Sequence, residues 1–89
     1  MSYKVELSPE TVEEIRRLPP PLQLHIVREL RRLAESPASY SKRCGPLESG
    51  QKFEFTFDRE GVYLYVTAYF TYGADEGTLH VFRVVTEFH

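Results

Sequence analysis

Apolar and polar residues alternate in four stretches of the chain, a pattern typical of strands that bury one face. One short stretch comes early and three follow one another in the second half: residues 3–7, 51–58, 62–72 and 78–88. Segments that contain glycine, at residues 59–61 and 73–77, separate the last three stretches. We therefore predict a meander of three antiparallel strands.

Strict alternation also sorts the residues of the last strand into two faces: Leu79, Val81, Arg83 and Val85 on one, and His80, Phe82, Val84 and Thr86 on the other. Arg83 then shares an otherwise apolar face and would be half-buried. A half-buried guanidinium needs a carboxylate or a phosphate partner. Glu54 or Glu87 could be a structural partner for it, and a bound phosphate is the functional alternative.

Between the first strand and the meander, apolar residues recur at helical spacing. Ser8 can cap the free N–H groups of a helix, and Pro9 suits its first turn. The prolines at 19–21 end this helix and begin a second one, which Ser36-Pro37 ends. The apolar stripe of the second helix contains Leu22, Ile26, Leu30 and Leu33. With so short a connection, the two helices should form a helical hairpin.

These elements predict an α+β domain over residues 1–89, with the order β-α-α-β-β-β and a helical hairpin packed on an antiparallel sheet. Residues 36–51 are rich in Ser, Pro and Gly and are predicted to be a loop. The first strand should join the sheet, at a position that the sequence leaves undecided. The outer face of the sheet would carry either the Lys52, Glu54 and Thr56 set or the aromatic set of the same strand.

Composition narrows the class of protein. With 42% hydrophobic residues among 89, the chain can build one modest core. No apolar run approaches the roughly 20 residues that a membrane helix needs, and the first residues do not resemble a signal peptide. The single Cys44 cannot form an internal disulfide. We therefore expect a cytoplasmic protein without a membrane partner.

Charge is unevenly distributed. The net charge is −2, yet residues 16–43 hold seven basic and two acidic residues. Such a basic helical segment is either a solvated face or a surface for nucleic acid or an acidic partner. On charge alone, Arg28, Arg31 and Arg32 are the candidates for binding an acidic partner segment.

Several kinds of chemistry lack their sequence signature. His25, His80, His89 and Cys44 show no paired metal-ligand spacing, and we predict neither a metal nor a cofactor. Tyrosines and basic residues on an exposed sheet face can stack bases and bind phosphates. The alternative is that these tyrosines are ordinary strand residues and that Lys52 forms a cross-strand ion pair.

The chain resembles the RelE/ParE superfamily of bacterial and archaeal toxins. The resemblance rests on Tyr3–Glu10, on Ile15-Arg16-Arg17-Leu18-Pro19, on Leu30–Pro37 and on the terminal strands. It implies an antitoxin partner with a flexible segment that wraps the toxin. It also implies one of two activities, which are cleavage of mRNA on the ribosome or poisoning of DNA gyrase without catalysis.

For the ribonuclease activity, the resemblance implies basic residues on the sheet and a tyrosine or histidine near the C-terminus. The candidate catalytic residues are Lys52, Tyr63, His80, Arg83 and His89. The chain departs from the family pattern at Glu54, at Leu64 after Tyr63, and after the last strand, where basic residues are expected. We therefore weigh three hypotheses: a translation-inhibiting endoribonuclease, a non-catalytic toxin, and a decayed member that only binds an antitoxin-like partner.

Overall fold

The structure, a computed structural model, describes residues 2–43, 50–73 and 77–88. Its strands are β1 (Lys4–Leu7), β2 (Ser41–Arg43), β3 (Gln51–Arg59), β4 (Val62–Tyr72) and β5 (Thr78–Phe88), and its helices are α1 (Pro9–Arg16), α2 (Pro20–Glu35) and α3 (Pro37–Tyr40). The predicted order of the two main helices and four main strands is confirmed. The loop prediction was wrong for residues 37–43, where α3 and β2 form.

The strands form one sheet in the order β1-β5-β4-β3-β2. The predicted meander is confirmed, because β3, β4 and β5 pair antiparallel. The first strand, β1, lies at one edge and runs parallel to β5, so the whole sheet is mixed. β2 lies at the other edge and pairs with the beginning of β3 through Ser41 and Phe53.

A two-residue turn joins β3 to β4. Arg59 pairs with Val62, so the turn consists of Glu60 and Gly61. Both have positive φ, at 52° and 80°. Two consecutive residues with positive φ make the turn whose twist matches that of paired strands. Gly61 suits this conformation, because it has no Cβ to clash with the backbone.

The main helices lie close to the predicted positions: α1 begins at Pro9 and ends at Arg16, before the prolines predicted to end it, and α2 begins at Pro20 and ends before Ser36-Pro37. Ser8 caps α1, since its Oγ accepts the N–H of Thr11 at 3.2 Å. Gln23 stabilises the connection to α2, because its Nε2 donates to the carbonyl of Leu18 at 2.7 Å and to that of Arg16 at 3.2 Å. These hydrogen bonds fix the geometry of the helical hairpin in the folded protein.

The core lies between the helices and one face of the sheet. It contains the predicted stripe of α2 together with alternate residues of the strands: Ile15, Leu22, Ile26, Leu30, Leu33, Ala34, Phe53, Phe55, Leu64, Val66, Ala68, Phe70, Leu79, Val81 and Val84. Thr11 is also fully buried, and its Oγ1 donates to the carbonyl of Val81 at 3.3 Å. This bond ties α1 to β5, and the backbone N–H of Ser8 donates to the same carbonyl at 3.0 Å.

Among the residues that the structure describes, no helix is long and apolar enough to cross a membrane.

Candidate functional site

The sheet face away from the helices, here called the outer face, carries the polar set of β3. Phe53 and Phe55 are buried in the core, whereas Glu54 and Thr56 are exposed on the other side and Lys52 is half-buried there. The tyrosines of β4 share this face, because strand residues alternate between the two sides. Of the two faces that the sequence left undecided, the one with Lys52 and the tyrosines is therefore the outer face.

A β-bulge in β5 adds Arg83 to the outer face. Phe70 pairs with Val81, but Tyr69 pairs with Arg83, so Phe82 is an extra residue in β5. An extra residue reverses the alternation from that point on. Arg83 is exposed, and Val84 is buried in its place. Our prediction of a half-buried Arg83 was therefore wrong.

The bulge completes a row of three side chains across three strands. Lys52 of β3 pairs with Tyr69 of β4, and Tyr69 pairs with Arg83 of β5. We call Lys52, Tyr69 and Arg83 the basic row. Neighbouring strands lie about 4.8 Å apart, so the two cations are about 10 Å apart at the backbone. Long side chains at this spacing can reach one phosphate from two sides. In the backbone register, Lys42 of β2 pairs with Lys52.

The two cations of the row have different surroundings. Lys52 Nζ lies 3.5 Å from Glu54 Oε1, and both side chains are partly exposed, at 37% and 48%. Arg83 forms no ion pair with any other residue that the structure describes. Neither structural partner considered for Arg83, Glu54 or Glu87, therefore engages it. Arg83 is available to an anion, whereas Lys52 is shared with a carboxylate.

His80 lies on the same face, on the side of the row toward the β4–β5 connection. Its Nδ1 is 3.2 Å from Glu6 Oε2, and the two residues are paired across β5 and β1. Its ring covers Gly73, where an added Cβ would lie 2.9 Å from His80 Nε2. Glu6 thus orients the ring through Nδ1, and none of the described residues forms a hydrogen bond or an ion pair with Nε2. An imidazole held by a carboxylate in this way can transfer protons.

The other two candidate catalytic residues do not join this group. Tyr63 pairs with Asp58 near the β3–β4 turn, six residues from Tyr69 and so about 20 Å along the strand. Its ring packs edge-on against Tyr65, with 5.5 Å between centroids. His89 lies outside the described residues, as does Cys44. The structure therefore places Lys52, Arg83 and His80 on one face within two positions of each other along β4, and it places Tyr63 farther away.

Three residues of this region did not stand out in the sequence: Glu6, Tyr69 and Phe82. Tyr69 was one tyrosine among several, and Glu6 required knowledge of where β1 joins the sheet. A signal for the bulge was present, because an arginine stood in the middle of an apolar set. Moving the alternation by one residue after Phe82 returns Arg83 to the polar face and Val84 to the core.

A second surface lies where α2 meets the free edge of β3. A groove of about 460 Å³, here called the edge groove, is lined by Pro20, Pro21, Leu24, His25, Arg28, Phe57 and Arg59. Within the described residues, β3 has no strand neighbour on this side beyond Phe53. His25 covers part of the edge, since its Nε2–H donates to the carbonyl of Thr56 at 2.8 Å and its ring packs on Phe57.

The three arginines of α2 differ in their surroundings. Arg28 is exposed and lines the edge groove. Arg31 is exposed as well. Arg32 is engaged within the protein, because its Nη2 lies 2.8 Å from Glu29 Oε2 and its guanidinium lies 5.1 Å from the ring centre of Tyr40. Of the predicted partner-binding residues, Arg28 and Arg31 form no ion pair with another residue that the structure describes.

No group of three or more His, Cys, Asp or Glu side chains within residues 2–43, 50–73 and 77–88 could hold a metal ion.

Two solved structures share this architecture. The first is the toxin-antitoxin complex RelBE2 from Mycobacterium tuberculosis, with a TM-score of 0.72 and 19% identity over 98% of this chain and 100% of that one. The second is a double arginine-to-alanine mutant of the E. coli toxin RelE in the free state, with a TM-score of 0.67 and 15% identity over 94% of this chain and 82% of that one.

Comparison with sequences alone identifies no relative, because neither a protein-family model nor a curated protein matches the chain. At the identities of the two structural matches, the likeness extends to the fold. The chain has the fold of the RelE toxins, as the sequence predicted.

Proposed function

We propose that this protein is the toxin of a type II toxin-antitoxin pair and that it acts on mRNA through the outer face of its sheet. The observation that carries the proposal is the basic row, in which the β5 bulge aligns Arg83 with Tyr69 and Lys52. The similarity of the fold to that of RelE also supports the proposal. Strict alternation would have buried Arg83, and the bulge places its guanidinium on an exposed face instead. Among the described residues, no contact in the core requires this cation.

The chemistry that suits this surface is cleavage of RNA by its own 2′-hydroxyl. The 2′-oxygen forms a bond to the adjacent phosphorus while the bond to the 5′-oxygen breaks, which leaves a cyclic phosphate and a 5′-hydroxyl end. Arg83 and Lys52 would stabilise charge on the phosphate oxygens. His80 would accept the 2′ proton at Nε2, with Glu6 holding the ring, and the leaving oxygen would take a proton from water.

Induced expression of the chain alone, followed by analysis of total RNA, tests the proposal. We expect growth arrest with cleaved mRNA, and Arg83→Ala should abolish both. Arg17→Ala is the matched control, because Arg17 is an exposed arginine at the end of α1, on the helical layer. Cleavage that survives Arg83→Ala, or is lost equally in Arg17→Ala, would rule out the basic row as the site.

A second candidate function is a toxin that binds its target without cutting RNA. The pairing of Lys52 with Glu54 favours it, because a carboxylate beside the row repels a phosphate backbone. The buried Leu64 also stands where the family pattern has an arginine. Gyrase is one such target. Growth arrest with intact mRNA would select this function over cleavage.

The antitoxin is the second partner that we propose. The edge groove offers an apolar floor, a free strand edge and the exposed Arg28, which together suit an acidic extended segment. Arg31 would add a charge contact next to it. Arg32 is less suited to this role, because Glu29 and Tyr40 already hold its guanidinium.

Charge reversal separates this partner site from the toxic site. Arg28→Glu should remain toxic when expressed alone and should lose neutralisation by the co-expressed antitoxin. Arg17→Glu is the control with the same change of charge on a different helix, and it should remain neutralised. If the antitoxin neutralises both variants, it does not bind in the edge groove.

A further inference from the structure

Phe82 is the residue that the bulge adds to β5. It lies on the outer face with 42% of its surface exposed, directly before Arg83. Single exposed apolar side chains are common on protein surfaces, so the significance of Phe82 lies in the groups beside it. The bulge thus places an aromatic ring and a free cation next to each other on one surface.

The neighbours of Phe82 support the ring without enclosing it. Tyr69 approaches it with 6.3 Å between ring centroids and an angle of 38° between the planes. Gly50 lies on another side of the ring, where an added Cβ would be 3.6 Å from Phe82 Cε1. A Cβ there would also lie 2.9 Å from the carbonyl oxygen of Phe70, and the φ of Gly50 is +102°. Position 50 is therefore suited to glycine, and this residue places no side chain over the ring.

We infer that Phe82 is a stacking platform for a nucleobase of single-stranded RNA, an inference that rests on the proposed function. The base would lie on the Phe82 ring while Arg83 and Lys52 hold the adjoining phosphates. Aromatic rings on exposed sheets bind unstacked bases in this manner, and neighbouring cations follow the backbone. A duplex cannot present the face of a base, so the platform selects single strands.

The stacking contribution is large enough to measure. Loss of one base–aromatic contact typically weakens binding of a single strand on the order of tenfold. Phe82→Leu keeps an apolar side chain on the outer face and removes only the aromatic ring. Phe88→Leu is the matched control, because Phe88 is 84% exposed and pairs with Leu64, well away from the basic row.

The experiment is an NMR titration of the full chain with two short RNAs, an adenosine trinucleotide and the same backbone with an abasic centre. The ring protons of Phe82 should move upfield with the adenosine RNA and stay unchanged with the abasic one. The side-chain signals of Arg83 and Lys52 should move with both RNAs. Phe82→Leu should bind the adenosine RNA about tenfold more weakly, and Phe88→Leu should bind it like the unaltered chain.

The outcomes distinguish this inference from the proposed function. If the Arg83 and Lys52 signals move and the Phe82 ring does not, the platform is overturned while phosphate binding stands. If no signal moves with either RNA, contact with RNA at the basic row is overturned, and the platform with it. Equal weakening by Phe82→Leu with both RNAs would mean that the ring acts on the fold and not on the base.

Discussion

Glu54 is predicted to weaken the contact between the basic row and RNA. Its Oε1 lies 3.5 Å from Lys52 Nζ, so the carboxylate competes with a phosphate for the same ammonium. The change Glu54→Gln removes the negative charge and keeps the shape of the side chain. Because the ion pair is largely exposed, its loss should change the free energy of unfolding by less than about 1 kcal/mol. The folded protein is therefore available for comparison.

The size of the effect follows from the distances. A phosphate oxygen bound on the far side of Lys52 would lie about 2.8 Å from Nζ. It would then be roughly 6 Å from the Glu54 carboxylate, where two charges in water repel each other by about 0.7 kcal/mol. Removing this repulsion corresponds to about threefold tighter binding at low salt. At 0.15 M salt the Debye length is about 8 Å, so the gain should fall to about twofold.

Fluorescence anisotropy with a labelled, unstructured RNA of nine nucleotides measures this change at both salt concentrations. Glu87→Gln is the matched control. Glu87 pairs with Tyr65, four residues along β4 from Tyr69, so it lies at least about 13 Å from the basic row. Glu87 has the same charge as Glu54, and its strand partner shares the outer face. At this distance, however, the effect of Glu87 on RNA binding should be screened.

Two results would refute the reasoning about Glu54. If Glu54→Gln binds the RNA no more tightly than the unaltered chain at low salt, the phosphate does not lie beside Lys52. If Glu87→Gln strengthens binding as much as Glu54→Gln, the effect is one of net charge and not of the basic row.

Three further predictions concern the scaffold, and urea unfolding tests each of them. Leu33→Ala should lower the free energy of unfolding by about 2–5 kcal/mol, because Leu33 is fully buried and its loss leaves a cavity; a loss below 1 kcal/mol would contradict the packing. Thr11→Val should cost about 1 kcal/mol or less, since the carbonyl of Val81 still accepts a backbone N–H. His25→Leu should cost about 1 kcal/mol, because the carbonyl of Thr56 loses its donor, and an unchanged midpoint would show that water replaces the imidazole.

Much of the fold could be predicted from the sequence, because the two-residue period of the strands is clearly different from the helical period. The phenylalanines of β3 repeat every second residue, and the apolar stripe from Leu22 to Leu33 follows helical spacing. These patterns separate the two faces of each element. They left open which face of β3 is buried, and the structure places Phe53 and Phe55 in the core.

The assembly of the candidate site could not be predicted in the same way. A period of two assigns every residue after Phe82 to the wrong face when one residue is added, and the bulge does so. The pairing of Glu6 with His80 depends on the position of β1, which is a contact between distant parts of the chain. Local patterns contain no information about such a contact. The family pattern likewise included Tyr63, which the register separates from the basic row.

The position of β1 has a consequence for the order of events during synthesis. The bond from Thr11 to Val81 spans 70 residues, and β1 has its neighbour only after β5 has been made. Contacts between such distant residues form late in folding, because a long loop must close first. While the ribosome is still adding β4, Glu6 has no His80 to orient and Lys52 has no Arg83 across the sheet. The proposed site therefore cannot form until β5 has been synthesised.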